Sequence, residues 1–189
     1  MDGYFTLIEH PTSEYIFWWS QSLLLVLAAI GAGIAFFQLR TIGNQARATL
    51  LLELDRRFES TKLSDARSIL RQIREEAMAA ARKVKQNAND AALLELMKPE
   101  CALIISRLRR ENPPTYAKLL NYLGFFETVG VMVARGYVTL GEISWLLRAA
   151  ILDIEIYFGD HITERRSEPG NTGALFQQTL DLIEKARPL

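Results

Sequence analysis

The sequence predicts an all-α protein in which a single N-terminal transmembrane helix is followed by a cytoplasmic helical bundle. Three observations lead to this prediction. Val, Ile and aromatic residues recur at helical spacing and rarely alternate as they would in strands. Residues 15–39 carry no charge and are numerous enough to span a bilayer. Residues 119–136 are apolar nearly all round, which is typical of a helix buried on every side.

The chain is expected to have three parts: an extracytoplasmic tail over residues 1–14, a transmembrane helix over 15–39 and a bundle domain over 40–189. After the tail and anchor, enough of the 189 residues remain for one compact domain. The 22 basic and 22 acidic residues balance, and three of the acids precede the anchor. The resulting excess of about three positive charges is too small for a nucleic-acid interface, so no nucleic-acid partner is expected.

The tail contains no Lys or Arg, so it lacks the basic start of a secretory signal. From Trp18 to Phe37 the helix would advance roughly 29 Å, which is close to the thickness of a hydrocarbon core. Aromatic residues lie near both ends of this stretch, as interfacial residues would. The alternative is a buried helix of a globular protein. Arginines follow the stretch and none precedes it, so the bundle should be cytoplasmic and the N-terminus outside.

Small residues recur at helical spacing in the anchor and define a packing face. Ala and Gly let transmembrane helices approach closely, so this face favours helix–helix association. Either self-association or docking on a larger membrane complex would use it, whereas the alternative is the ordinary composition of spanning helices. The face consists of Ala28, Ala29, Gly31, Ala32, Gly33 and Ala35.

Beyond the anchor, an apolar stripe over residues 50–58 continues the helical pattern, with Gly43 as the expected bend. Ser64 is the expected N-cap of a helix that ends before the turn at residues 86–90. Asp90 is then expected to cap a short helix through Met97.

Pro99 is expected to start a further helix that ends near Arg110. Basic residues on this part of the chain and after the anchor are candidates to face anionic lipid, although a solvated helix face is the alternative. The candidate lipid-facing residues are Arg40, Arg47, Arg107, Arg109 and Arg110.

Pro113 and Pro114 stop that helix and precede the central one, which Gly136 should end in a left-handed C′ position. Thr139 and Glu142 have the spacing of a capping box and open the next helix. Its apolar stripe follows the helical period, with further apolar residues on a second face: Trp145, Leu152 and Ile156. Burial is favoured for this second face, and contact with a partner is the alternative.

Residues 167–173 predict a loop, rich in turn formers. A last amphipathic helix should follow it and present an apolar face made of Leu175, Phe176, Leu180 and Ile183.

The segment LNYLGFFETVGVMVARGYVTLGEISWLL, residues 120–147, resembles a family of small bacterial membrane proteins catalogued as a domain of unknown function. The pattern is an aromatic residue, Glu and a Gly three positions on, here Phe126, Glu127 and Gly130. A basic residue and Gly follow, here Arg135 and Gly136. The resemblance implies an anchored all-α protein in the bacterial inner membrane, and it implies no activity.

Few residues have the chemistry of a reactive site. Glu127 stands on an apolar helix, where a structural ion pair with Arg148 or a cation of another helix is favoured over a catalytic acid. His161 lies beside Asp160 and Glu164, yet the Glu-x-x-His repeat of di-metal bundles is missing. Cys101 is the single cysteine and is expected to be a small core hydrophobe. No cofactor, metal site or enzymatic activity is therefore expected.

The favoured function is a membrane-anchored scaffold or accessory subunit that contacts lipids through its anchor and protein partners through its anchor and bundle. A membrane-tethered sensor whose bundle binds a ligand is the alternative. A carboxylate-based enzyme is the second alternative. A pocket lined by Glu127 and converging polar groups would favour either alternative over the scaffold.

Overall fold

The computed structural model describes residues 11–85, 89–171 and 174–187, with side chains from Tyr15 onward. The described residues form helices and no strand, which confirms the all-α prediction. The helices are α1 (Pro11–Phe58), α2 (Thr61–Val84), α3 (Asp90–Glu111), α4 (Pro113–Ala134), α5 (Leu140–Ser167) and α6 (Gln177–Ala186). The chain divides into two units, Met1–Ala48 and Thr49–Leu189.

In the first unit, α1 is long and apolar enough to cross a membrane. Its large apolar side chains are exposed in the structure, from 54% to 74% between Tyr15 and Phe37. The helix continues through Gly43 without interruption, so the expected bend does not break it.

The core of the second unit is built around α4, which packs against α2, α3, α5 and α6. Phe126 of α4 is fully buried. Its ring lies 5.1 Å from those of Tyr122 and Phe125 and 6.2 Å from that of Phe58, between ring centroids. The central place predicted for this helix is therefore confirmed, but it is not buried on every side, because Asn121 and Val131 are exposed.

Several helix ends follow the predicted local chemistry. At the start of α5, the backbone N–H of Glu142 donates to Thr139 Oγ1 at 3.3 Å, and that of Thr139 donates to Glu142 Oε2 at 2.6 Å, completing the capping box. Gly136 ends α4 with a φ of +71°, the left-handed conformation that Gly adopts without steric cost. The cap of α4 was not predicted: Asn112 accepts from the N–H of Thr115 at 3.2 Å.

The division at Pro99 into two helices was wrong, because α3 is one helix from Asp90 to Glu111. A proline inside a helix loses one backbone hydrogen bond. Met97 and Cys101 lie on either side of it and are buried in the core, so packing against α2 and α5 holds the backbone helical. Asn89 caps this helix in place of Asp90, by accepting from Ala92 N–H at 2.9 Å.

The start of α2 was also placed too late. The helix begins at Thr61 with Ser60 in the N-cap position, rather than at Ser64. Residues 86–88 of the predicted turn and residues 172–173 of the predicted loop lie outside the described residues.

The interpretation of Trp145 as buried was wrong, since this side chain is 89% exposed. The predicted stripe of α5 faces the core through Ile143, Leu147 and Ile151, and this places Trp145 on another side of the helix. Leu152 and Ile156 are half-buried.

The predicted apolar face of the last helix was only partly right. Ile183 is buried, but Leu180 is half-buried, and Leu175 and Phe176 precede α6. The buried residues of α6 are Thr179, Leu182, Ile183 and Ala186.

Candidate functional site

Glu127 is half-buried on α4 and directs its carboxylate at the first turn of α6. One oxygen accepts from the backbone N–H of Gln178 at 3.2 Å. The other accepts from both the backbone N–H and the hydroxyl of Thr179, each at 2.8 Å. The carboxylate is thus a capping group supplied by a different helix, since the first N–H groups of a helix have no partner within it.

Gly130 lies one turn after Glu127 and makes this contact sterically feasible. A Cβ at this position would stand 2.4 Å from the carbonyl oxygen of Gln178 and 2.7 Å from its carbonyl carbon. No real Cβ atom sits that close to backbone, so only glycine allows α6 to lie this near to α4. The spacing of Glu127 and Gly130 therefore serves the docking of α6.

These contacts correct the expected ion pair of Glu127 with Arg148 or another cation. In the part of the chain that the structure describes, ion pairs do not include Glu127, and Arg148 is exposed. The physical reason is that a helix N-terminus carries a partial positive charge and free N–H donors, which satisfy a carboxylate as a cation would.

A second polar cluster surrounds His161, which is buried with 2% exposure. Its Nε2 lies 3.2 Å from the Tyr116 hydroxyl and its Nδ1 lies 3.3 Å from Ser106 Oγ. The Ser106 hydroxyl donates to Glu164 Oε2 at 3.1 Å, so it is not free to donate to the imidazole. Neutral His161 therefore donates from Nδ1 to Ser106 and accepts from Tyr116 at Nε2.

Burial lowers the pKa of His161, and the nearby Glu164 carboxylate opposes that shift. Beside the imidazole, Arg109 Nη1 pairs with Glu168 Oε1 at 2.6 Å, and Arg165 pairs with the same carboxylate. These contacts link the ends of α3 and α5 to the start of α4. Among the described residues, no three His, Cys, Asp or Glu side chains converge as metal ligands would.

A groove between α2 and α5 is a concave surface of the second unit on which polar groups converge. It comprises two adjoining clefts of about 340 and 380 Å³, and both are lined by Arg74, Asp153 and Tyr157. The smaller cleft, which we call the head cleft, also includes Arg71 and Tyr122. The larger one, the tail cleft, is lined mainly by apolar side chains: Met78, Leu93, Leu94, Met97 and Ile156.

The electrostatics of the groove depend on its half-buried position. Burial raises the pKa of Asp153, and the Arg74 guanidinium opposes that rise. Burial also raises the pKa of Tyr157 and, more strongly, that of Tyr122. Tyr122 is only 3% exposed, and its hydroxyl forms no hydrogen bond with any described residue. Among the described residues, the buried side-chain polar atom without a partner is Ser144 Oγ, so the Tyr122 hydroxyl is open to the cleft, where water or a ligand can accept from it.

The sequence did not identify this groove. Arg67, Arg71 and Arg74 follow at helical spacing along one edge of α2, and Asp153 and Tyr157 are one turn apart on α5. Such spacing is also typical of an ordinary solvated helix face, so the pattern alone does not distinguish a site from a surface.

The other predicted site residues are distributed over both units. In the small-residue face of α1, Gly33 is half-exposed and Ala28, Ala29, Gly31, Ala32 and Ala35 are exposed. Arg40 and Arg47 are exposed on α1, and Arg110 is exposed on α3. Arg107 pairs with Glu76 at 2.7 Å and Arg109 pairs with Glu168, so these two guanidiniums already have acidic partners.

Comparison with known proteins identifies a family and no activity. The family model described as Domain of unknown function (DUF4760) matches residues 25–186. Neither the comparison with curated proteins nor that with solved structures found a match. The matched range begins inside the apolar stretch of α1 and extends to the end of α6. It therefore includes Phe126 and the two residues that contact α6, Glu127 and Gly130.

Proposed function

We propose that this chain, which belongs to the family Domain of unknown function (DUF4760), is a membrane-anchored scaffold or accessory subunit without catalytic activity. The first part of α1 anchors it in the bacterial inner membrane, with the N-terminus outside and the bundle in the cytoplasm. The length and apolar surface of α1 support the anchor, and the arginines that follow residue 39 support the orientation.

The partner-binding part of this proposal rests on an exposed strip of α5 that consists of Trp145, Arg148 and Ala149. Trp145 is 89% exposed, and Arg148 and Ala149, three and four residues on, share its side of the helix and are exposed too. Trp and Arg are the residues most enriched in the energetically dominant centres of protein interfaces. A tryptophan that its own domain leaves uncovered therefore supports a protein partner on this face.

The state of Glu127 supports a non-catalytic role. Its two oxygens accept from three donors of α6, so the carboxylate is engaged in holding the fold together. A general acid or base must instead reach a substrate proton. The small-residue face of α1 and the exposed Arg40, Arg47 and Arg110 are assigned to helix packing and to anionic lipid in this proposal.

Affinity purification of the full chain in mild detergent, with quantitative mass spectrometry, tests the partner face. Trp145→Ala should lose partners that the parent recovers. Leu103→Ala is the matched control, because Leu103 is an exposed apolar residue of α3 with 64% exposure. It should recover the same partners as the parent. Equal recovery by the Trp145 variant would overturn the assignment of α5 as the partner face.

A membrane-tethered sensor is the second candidate function. The groove between α2 and α5 favours it, because converging polar groups in a concave and partly apolar surface are typical of small-molecule sites.

A further inference from the structure

We propose that the groove between α2 and α5 binds a small anionic amphiphile, with its carboxylate or phosphate in the head cleft and its apolar chain in the tail cleft. This inference rests on the second candidate function. It does not depend on the partner face of α5, so either can fail while the other holds.

The charge balance of the head cleft leaves one cation without a partner. Arg67 pairs with Glu59 at 3.1 Å and its guanidinium lies 4.4 Å from the ring centroid of Phe58. Arg74 faces Asp153, which compensates its charge. Arg71 is exposed and forms no ion pair with any described residue. The head cleft is therefore complementary to an anion.

Tyr122 lines the same head cleft, and its hydroxyl is available there as a hydrogen-bond donor. Burial favours its neutral, donating form, because it raises the pKa of this phenol. An anionic oxygen bound by Arg71 would also be a suitable acceptor for this O–H, and hydrogen bonds to charged groups are the stronger kind. One anionic group can thus contact both the unpaired Arg71 and the Tyr122 hydroxyl.

The lining of the tail cleft indicates the chemical character of the second part of the ligand. Arg74, Asp153 and Tyr157 belong to both clefts, so a ligand that fills them passes these residues. Beyond them, side chains of Leu93, Met97 and their apolar neighbours line the cleft, with Asp90 as a further acid. Methionines adapt to irregular apolar ligands, and each cleft is of a size suited to part of a small molecule. An apolar chain matches this lining better than a second charged group does.

Substitution of Asp153 should change ligand affinity in the direction opposite to substitution of the arginines. A carboxylate beside an anionic ligand repels it and competes with it for Arg74. Removing the charge of Asp153 should strengthen binding, whereas removing that of Arg71 or Arg74 should weaken it. Nonspecific partition of an amphiphile onto apolar surface would be changed by neither substitution.

The probe is 8,8,8-trifluorooctanoate, followed by ¹⁹F NMR on the full chain in nanodiscs of zwitterionic lipid, with empty nanodiscs as the blank. Arg71→Met, Arg74→Met and Tyr122→Phe should each weaken binding by about tenfold, as loss of a hydrogen bond to a charged group does. Asp153→Asn should tighten it several-fold. Lys83→Met, which removes an exposed cation of the same helix α2, should leave binding unchanged.

Competition identifies the head group. Octanoate and octyl phosphate are compared as competitors, and the stronger of the two distinguishes a fatty-acid ligand from a phosphorylated one. Octylammonium should fail to compete. The proposal is overturned if the probe behaves as in empty nanodiscs, if Arg71→Met and Arg74→Met bind like the parent, or if octylammonium competes as well as octanoate.

Discussion

The contact between α4 and α6 predicts that alanine substitutions at two glycines of α4 have opposite effects on stability. Gly124 and Gly130 are both helical, but a Cβ at Gly124 would meet nothing within 4 Å, whereas one at Gly130 would stand 2.4 Å from the carbonyl oxygen of Gln178. The two sites therefore share the helix propensity gain and differ in the steric cost.

The magnitudes follow from these two terms. Replacing glycine by alanine inside a helix gains about 0.8–1.0 kcal/mol. Overpacking typically costs about 1–3 kcal/mol. The upper end applies at Gly130, since a backbone carbonyl cannot rotate away as a flexible side chain can. We expect Gly124→Ala to stabilise the chain by about 1 kcal/mol and Gly130→Ala to destabilise it by about 2 kcal/mol.

Urea unfolding of the full chain in detergent micelles, followed by far-ultraviolet circular dichroism, measures the difference of about 3 kcal/mol between the two variants. Hydrogen exchange adds a local measurement, because Gly130→Ala should increase exchange at the Gln178 and Thr179 amides that donate to Glu127. If Gly130→Ala stabilised the chain as much as Gly124→Ala does, the close approach of α6 to α4 would be refuted.

Three further predictions follow. Glu127→Ala should destabilise the chain by about 2 kcal/mol in the same urea assay, because it removes an acceptor of charge-assisted hydrogen bonds, and an unchanged midpoint would contradict the capping role. Burial lowers the pKa of His161 in the folded state below its ordinary value of 6.5. Burying the neutral imidazole therefore costs no stability above pH 6.5, and the free energy of unfolding should fall as the pH drops below that value. His161→Gln should make the free energy of unfolding less dependent on pH below 6.5. A variant with the same pH dependence as the parent would argue against His161 as the responsible group. For topology, Ser68→Cys should react with a membrane-impermeant thiol reagent only in opened membranes, and reaction in intact spheroplasts would reverse the orientation.

The native thiol is unsuited to that topology test. Cys101 is fully buried, and burial raises its pKa to about 11, so little reactive thiolate forms at neutral pH. Ser68 is exposed on α2 and provides an accessible position in the same unit.

Features with a local cause could be predicted from the sequence alone. The capping box of Thr139 and Glu142 needs only residues three apart, and the left-handed Gly136 needs only the end of its own helix. The buried stripe of α5 follows from the helical period, and the nearly continuous apolarity of α4 correctly predicted its central place.

The tertiary structure decided what depends on neighbours distant in the chain. Pro99 is a local helix breaker, yet packing of Met97 and Cys101 keeps α3 continuous. The exposure of Trp145 depends on which sides of α5 the other helices cover. Asp153 and Arg74 lie on different helices, and their meeting with Tyr122 creates a groove that no single helix pattern indicates.

Glu127 shows both sides of this division. The sequence identifies it as an unusual charge on an apolar helix and indicates that it needs a partner, because an unpaired carboxylate is costly to bury. Its partners lie 51 and 52 residues further along the chain, at the start of α6. Two of the three donors are backbone N–H groups. Nearly every residue has such a group, so the sequence does not indicate which ones Glu127 contacts. They become specific only when α6 begins at that point and Gly130 lets it approach.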